Sequence, residues 1–312
     1  VSENKNFKMV NFVMIAFCIT TGMIFRYFKL IPQDAHKGIN TWILYLALPA
    51  VSFKYIPKIE WSSEMLFPAI SPVIVWFGSW CFVKLYAHYK NYSQRSRSTL
   101  ELASGYSNTS FIGFPLIMAY FGEQDLSIAI ICDQVMFVLL STAGIICAIK
   151  GNRTDTEGIK ASVLVKRLLT FPPFIGCVSA ILLSRVIDLS IAEPFFEKLA
   201  ATVGPLALFS VGLQLKFKGW KQQFSQISMT MLYKLMIAPA LVLIIALLIG
   251  IKGNVARISI FEAAMPTLIT SSIIAEQFRL NSRLINLIIG ISILVGFITT
   301  AFWDIIIDLL IA

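Results

Sequence analysis

Charge is scarce in this chain. Only 14% of its 312 residues are Asp, Glu, Lys or Arg, while 57% are hydrophobic and the mean hydropathy is +0.78. Those values exclude an ordinary soluble domain and a disordered chain. Histidine is nearly missing: His36 and His88 each sit at the end of an apolar run, where an interfacial role suits them better than metal ligation. The five cysteines (Cys18, Cys81, Cys132, Cys147 and Cys177) are scattered inside apolar runs, and none forms a CxxC pair or a Cys/His cluster. A disulfide framework, a zinc site and a resident metal are therefore not expected, and the cysteines read as small buried apolar residues. No nucleophile or metal constellation of the kind an intramembrane enzyme needs is visible, so the chain does not read as an enzyme. No GxxxxGK[ST] stretch occurs, which removes ATP as the expected energy source and leaves membrane potential, protons or sodium, with no cofactor.

Long apolar stretches fill the chain instead. Ten candidate spans can be drawn: Phe7–Phe28, Ile39–Ile56, Met65–Tyr86, Ser98–Gly122, Leu126–Ala148, Val163–Ile187, Leu199–Leu215, Phe224–Gly250, Val255–Phe278 and Leu284–Leu310. Most are long enough for a hydrocarbon core of about 30 Å. The expected fold is thus an all-α polytopic membrane protein. The net charge of +9 would suggest nucleic acid in a soluble protein, but here Lys and Arg collect between spans. The loops and adjoining span ends on one side hold 17 of the 26 basic residues and those on the other hold 8, with Lys234 deep inside a span. The positive-inside rule then places both termini outside and the loop after the fifth span in the cytoplasm, with a plasma membrane as the expected location.

Two spans are poor helices. The first, STLELASGYSNTSFIGFPLIMAYFG, carries Gly105, Ser107, Asn108, Thr109, Ser110, Gly113 and Pro115 at mid-depth. The second surrounds Glu262, Pro266, Thr267, Thr270, Ser271 and Ser272. Backbone freed from helical bonding within a membrane must be buried in protein or line a wet cavity. Two interrupted spans in matching places of two halves point to a transporter's binding site. A helix start at each break offers free N–H groups and roughly +0.5 charge, which suits a carboxylate. Asn108, Thr109 and Ser110 on one side, with Pro266, Thr267, Thr270 and Ser271 on the other, are the candidate substrate-binding groups, with Pro115 shaping the first break. Small hydroxyl residues also let helices pack closely, and for any single Ser or Thr that plainer role competes. For Asn108, whose amide can donate twice and accept once more, substrate contact is the stronger reading.

Asp133, Lys234 and Glu262 are ionisable groups inside spans and should face protein or water. Glu262, four residues before Pro266, is a candidate to carry a proton or help hold a sodium ion. Lys234 is expected to pair with one of the acids or to attract an anionic solute; a buried ion pair locking helices is the competing reading. Glu101 and Glu276, near span ends, are expected to be solvated.

An internal repeat is suggested by prolines. Pro49 and Pro205 lie in two short spans, Pro115 and Pro266 in the two interrupted ones. The chain then divides into a first five-helix repeat over residues 1–149, a short cytoplasmic linker over 150–162, and a second five-helix repeat over 163–312. An odd number of helices per repeat makes the second copy inverted, with the solute expected at the interface near the bilayer midplane.

At these residues the chain resembles the auxin efflux carrier family, which comprises the plant PIN-formed auxin exporters and shorter bacterial members described as malonate or organic-acid permeases. The matching stretches are NTWILYLALPAVSF, GYSNTSFIGFPLIMAYFGE, VGPLALFSVGLQL and EAAMPTLITSSIIAEQF. The resemblance implies ten helices in a 5+5 inverted repeat, broken and crossing fourth and ninth helices, and a scaffold domain beside a mobile transport domain. It implies elevator-type alternating access, a small carboxylate as solute, and a homodimer formed through the scaffold. The plant exporters' substrate-contacting Asn corresponds to Asn108, while their preceding proline is Ser107 in this chain. The short linker after the fifth span favours a bacterial-type member. The expected function is secondary active transport of small organic anions. The alternatives are a receptor that binds without moving its solute, or a sodium-coupled symporter of the bile-acid type.

Overall fold

The computed structural model describes residues 2–59, 62–152, 165–166, 169–215 and 219–311. Most of the expected linker over 150–162 lies outside the described residues. Every described element is helical, apart from one isolated β-bridge. Among the described residues six helical stretches are long and apolar enough to cross a membrane: Val10–Tyr27, Ser63–Tyr89, Glu123–Gly151, Ser190–Gln214, Trp220–Ile249 and Ser282–Leu310. Thr109–Tyr120 and Pro172–Leu183 are shorter apolar helices. The remaining expected spans, around Pro49 and after Val255, are also helical, in shorter pieces.

Four segments widen into π-helical turns: Ile43–Ala47, Thr109–Gly113, Leu140–Gly144 and Tyr233–Ile237. Three of them end two residues before a proline (Pro49, Pro115 and Pro239). A proline has no N–H and its ring collides with the carbonyl four residues back, so a wider turn there relieves the clash.

The chain folds into two compact units, each taking segments from both halves of the sequence. The first comprises residues 1–61, 110–130 and 166–215. In it α1 (Ser2–Tyr27), α2 (Ala35–Trp42) and α3 (Leu48–Tyr55) join α6 (Phe114–Tyr120), α9 (Pro172–Leu183), α10 (Glu193–Ala200) and α11 (Val203–Gln214). Helix α1 lies directly against α11, because Gly22 and Gly212 have no side chain: a Cβ on either would overlap the carbonyl of Phe209 or Ile19. Small residues let membrane helices approach this closely. Arg26 then reaches the open C-terminal carbonyls of α11, donating to Leu213 O at 2.7 Å and Leu215 O at 3.2 Å. Lys54, 8% exposed, lies between the carboxylates of Glu123 (3.2 Å) and Glu197 (3.1 Å), and the Tyr55 hydroxyl also donates to Glu123.

The second unit comprises residues 62–109, 131–165 and 216–312. It contains α4 (Leu66–Tyr89), α5 (Gln94–Ser104), most of α7 (Leu126–Leu139), and α8 (Ile145–Gly151). From the later part of the chain come α12 (Phe224–Leu232), α13 (Ala238–Ile249), α14 (Gly253–Ala263), α15 (Thr270–Gln277) and α16 (Ser282–Leu310). Two of its prolines orphan a carbonyl four residues earlier, and side chains fill both gaps. Pro72 leaves Pro68 O, to which Ser71 Oγ donates at 3.3 Å. Pro239 leaves Leu235 O, to which the Trp303 indole donates at 2.8 Å. With no water available in lipid, such substitutes keep a proline-bearing helix intact.

Candidate functional site

Both poor helices are broken, and the breaks meet inside the second unit. Helix α5 ends at Ser104 and regular helix resumes with the π turn at Thr109; α14 ends at Ala263 and α15 starts at Thr270. Between them Ser107 and Thr267 form an antiparallel β-bridge. The Asn108 amide donates to Pro266 O at 2.8 Å, and the Leu268 amide to Tyr106 O at 3.0 Å. These are the flanking amides of a non-hydrogen-bonded pair. The bridge therefore asks nothing of the amide at 107 or at 266, so Pro266 fits without loss.

The bridge also spends N–H groups that the sequence reading assigned to a solute. The amides of Asn108 and Leu268 are taken by carbonyls, and the Thr267 amide donates to Ser292 Oγ at 3.2 Å. The Thr267 hydroxyl donates to Ala103 O at 2.8 Å, so this candidate ligand ties the breaks together. Thr109 is occupied too, donating from Oγ1 to Asp133 Oδ1 at 2.5 Å. Thr270 opens α15 and is half-buried. Ser110 and Pro115 belong to the first unit, Pro115 in the first turn of α6 and past the break itself.

What remains open is specific. Asn108 is fully buried, and neither Oδ1 nor Nδ2 has a hydrogen-bond partner among the described residues. The Ser271 hydroxyl and both carboxyl oxygens of Glu262 are likewise buried and unpartnered. A buried polar group without a partner costs about 1–3 kcal/mol, so native folds seldom keep several together without a use for them. The space bounded by Ser71, Ser107, Thr109, Cys132 and Glu262 is too narrow for a water-sized sphere.

Lys234 corrects one expectation. Among the described residues it makes no ion pair with an acid. Its ammonium, fully buried, donates instead to Ser107 Oγ at 2.6 Å and to Ala263 O at 2.9 Å. The sequence singled out Ser107 only as the position where plant exporters carry proline; its hydroxyl is what holds the lysine. Asp133 and Glu262 remain electrostatic neighbours of each other, and Glu262 of Lys234. Glu101 is corrected as well: it is not solvated but accepts from Arg97 Nε at 2.7 Å and from the Cys147 thiol at 2.9 Å. Sequence reasoning also missed Ser292, although a lone serine in an apolar stretch of α16 was its signal.

A family model described as membrane transport protein matches residues 8–304. The chain belongs to this family, that of the auxin efflux carriers. It is a multi-pass membrane transporter and not an enzyme. The transporter is 26% identical to an uncharacterized transporter of Methanocaldococcus jannaschii, over 93% of this chain and 96% of that one. It is 24% identical to a Rhizobium meliloti protein named "Putative malonate transporter", over 83% of this chain and 86% of the other. Over 45% of this chain and 41% of the other it is 29% identical to a protein of Oryza sativa subsp. japonica named "Probable auxin efflux carrier component 5a".

Proposed function

We propose that the transporter moves a small carboxylate by secondary active transport, binding it at the crossing of the two breaks. The observation that carries this reading is Asn108: an amide, fully buried, with donor and acceptor both unused beside the bridge. Its Nδ2 can donate to a carboxylate, and the Ser271 hydroxyl can add a second donor from the other break. The relatives named for malonate and auxin support an organic acid as the solute class. Glu262 is the coupling group in this reading, because a proton or a sodium ion would satisfy oxygens that the protein leaves unpaired. Lys234 and Asp133 set the local charge that the ion and the solute change. The first unit is the scaffold, through which a homodimer would form, and the second is the moving domain of an elevator-type cycle. The ten-helix 5+5 inverted repeat, with the basic loops cytoplasmic in a plasma membrane, belongs to the same reading.

The test is binding and uptake of mono- and dicarboxylates in proteoliposomes under imposed proton and sodium gradients. Accumulation driven by one gradient is expected. Saturable binding with no flux under any gradient would make the protein a receptor and end the transporter mechanism proposed here.

A further inference from the structure

Helix α4 exposes Ile70, Val73, Phe77 and Trp80, three or four residues apart, and so presents one apolar stripe to its surroundings. Near Trp80 this stripe meets a cavity of about 270 Å³ within the second unit, walled by α4, α5 and α8. The volume is just below that of ordinary small-molecule pockets, which begin at about 300 Å³. Its lining combines two indoles, Trp76 and Trp80, with Arg97, Glu101, Tyr106 and Lys150.

The charges there are partly used. Arg97 gives Nε to Glu101, and among the described residues its two terminal amino groups have no hydrogen-bond partner. Glu101 is covered, one oxygen by Arg97 and the other by the Cys147 thiol. Lys150 is exposed, with no partner among the described residues. Lys84 adds a third cation close by, 4.9 Å above the Trp80 ring. Against the floor lies Tyr106, 1% exposed, whose hydroxyl makes no hydrogen bond of ordinary geometry. A free guanidinium fork, an open ammonium and a buried phenol donor together suit a phosphate group. Indoles at the rim suit the boundary between headgroup and acyl chain.

We propose that this cavity binds the phosphate headgroup of an anionic lipid, with the acyl chains lying along Phe77 and Val73. The lipid, rather than free phosphate, follows from the apolar stripe that leads to the mouth. The cavity also has Arg97 and Lys150 in its wall, and anionic headgroups gather around Lys and Arg. Tyr106 links it to the crossing: the same residue that offers its hydroxyl to the headgroup accepts the Leu268 amide through its carbonyl. Occupancy therefore stiffens the crossing through Tyr106.

Thermal unfolding of the purified transporter in neutral detergent tests the assignment, with phosphatidylglycerol, phosphatidylcholine and inorganic phosphate as probes. Phosphatidylglycerol is expected to raise the midpoint saturably and phosphatidylcholine to leave it unchanged. Arg97→Gln combined with Lys150→Gln should weaken the phosphatidylglycerol effect about 10-fold or more, as charged hydrogen bonds of this type are lost. If that pair does not fold, Lys150→Gln and Tyr106→Phe, which break no bond seen in the structure, should each weaken it a few-fold. An equal shift in the wild type and these variants would overturn the site. A shift produced by inorganic phosphate at concentrations matching the lipid would overturn the lipid as occupant. None of these outcomes depends on the transported solute.

Discussion

Two buried lysines show how differently the two units treat charge. Lys54 in the first unit has a carboxylate on either side, each half-exposed, with Tyr55 bonded to one of them. Lys234 in the second is more deeply buried, yet it is held by a hydroxyl and a carbonyl, while the carboxylate of Glu262 close by has no donor. In the first arrangement the lysine has direct acidic partners, one of them also bonded by a tyrosine. The second keeps its lysine and its carboxyl group as electrostatic neighbours with no ion pair between them among the described residues. Such incomplete pairing is costly in a purely structural site and useful where an ion or solute must come and go.

The contrast can be broken most sharply at Asn108. Asn108→Ala should lower solute affinity about 10- to 100-fold, the worth of one or two hydrogen bonds to a charged group, with the unfolding midpoint retained. Uptake at wild-type affinity by the folded variant would remove Asn108 from the site. Glu262→Gln comes next. If its carboxylate carries the proton, the variant's uptake should lose its dependence on external pH while solute binding persists; an unaltered pH profile would assign the coupling elsewhere. Ser107→Ala removes an acceptor from Lys234 and should destabilise the second unit by about 1–3 kcal/mol. Ser107→Pro should do the same but keep the bridge, since no bridge bond uses that amide. Hydrogen exchange at Asn108 and Leu268 would read the difference. The smallest effect belongs to Lys54→Met. Its partners are 53% and 57% exposed, so water can take over from the lysine, at a cost of about 1 kcal/mol and no change in transport. A loss of flux in that variant would blur the distinction between the two lysines.

The breaks themselves were legible, because Gly105, Pro266 and the run of hydroxyls cannot support a regular helix in lipid. Their union was not. Ser107 and Thr267 lie 160 positions apart, and no local pattern announces a bridge between two segments too short to be strands. The candidate list was chemically sound but blind to competition. Thr267, Thr109 and three backbone amides had the right groups, and the fold had already claimed them for Ala103, Asp133, Pro266, Tyr106 and Ser292. Pairing Lys234 with an acid followed from charge alone and failed because neutral oxygens stand nearer. The sixth span was drawn from Val163, whereas the described helix there runs Pro172–Leu183, and the π turn at Leu140–Gly144 left no signature in the sequence.

The crossing is fastened mainly through main-chain groups. Replacing the side chain at 108 or 271 changes the chemistry buried beside the bridge without removing the two main-chain bonds that hold the segments together. With the solute bound at Asn108 and Ser271 as proposed, a lineage can explore new solutes at those positions while its platform survives each trial. On this view, diversification within the family proceeds by re-dressing a fixed peptide frame, and a designer seeking altered selectivity should leave 103, 267 and 292 alone and vary the atoms that the frame leaves idle.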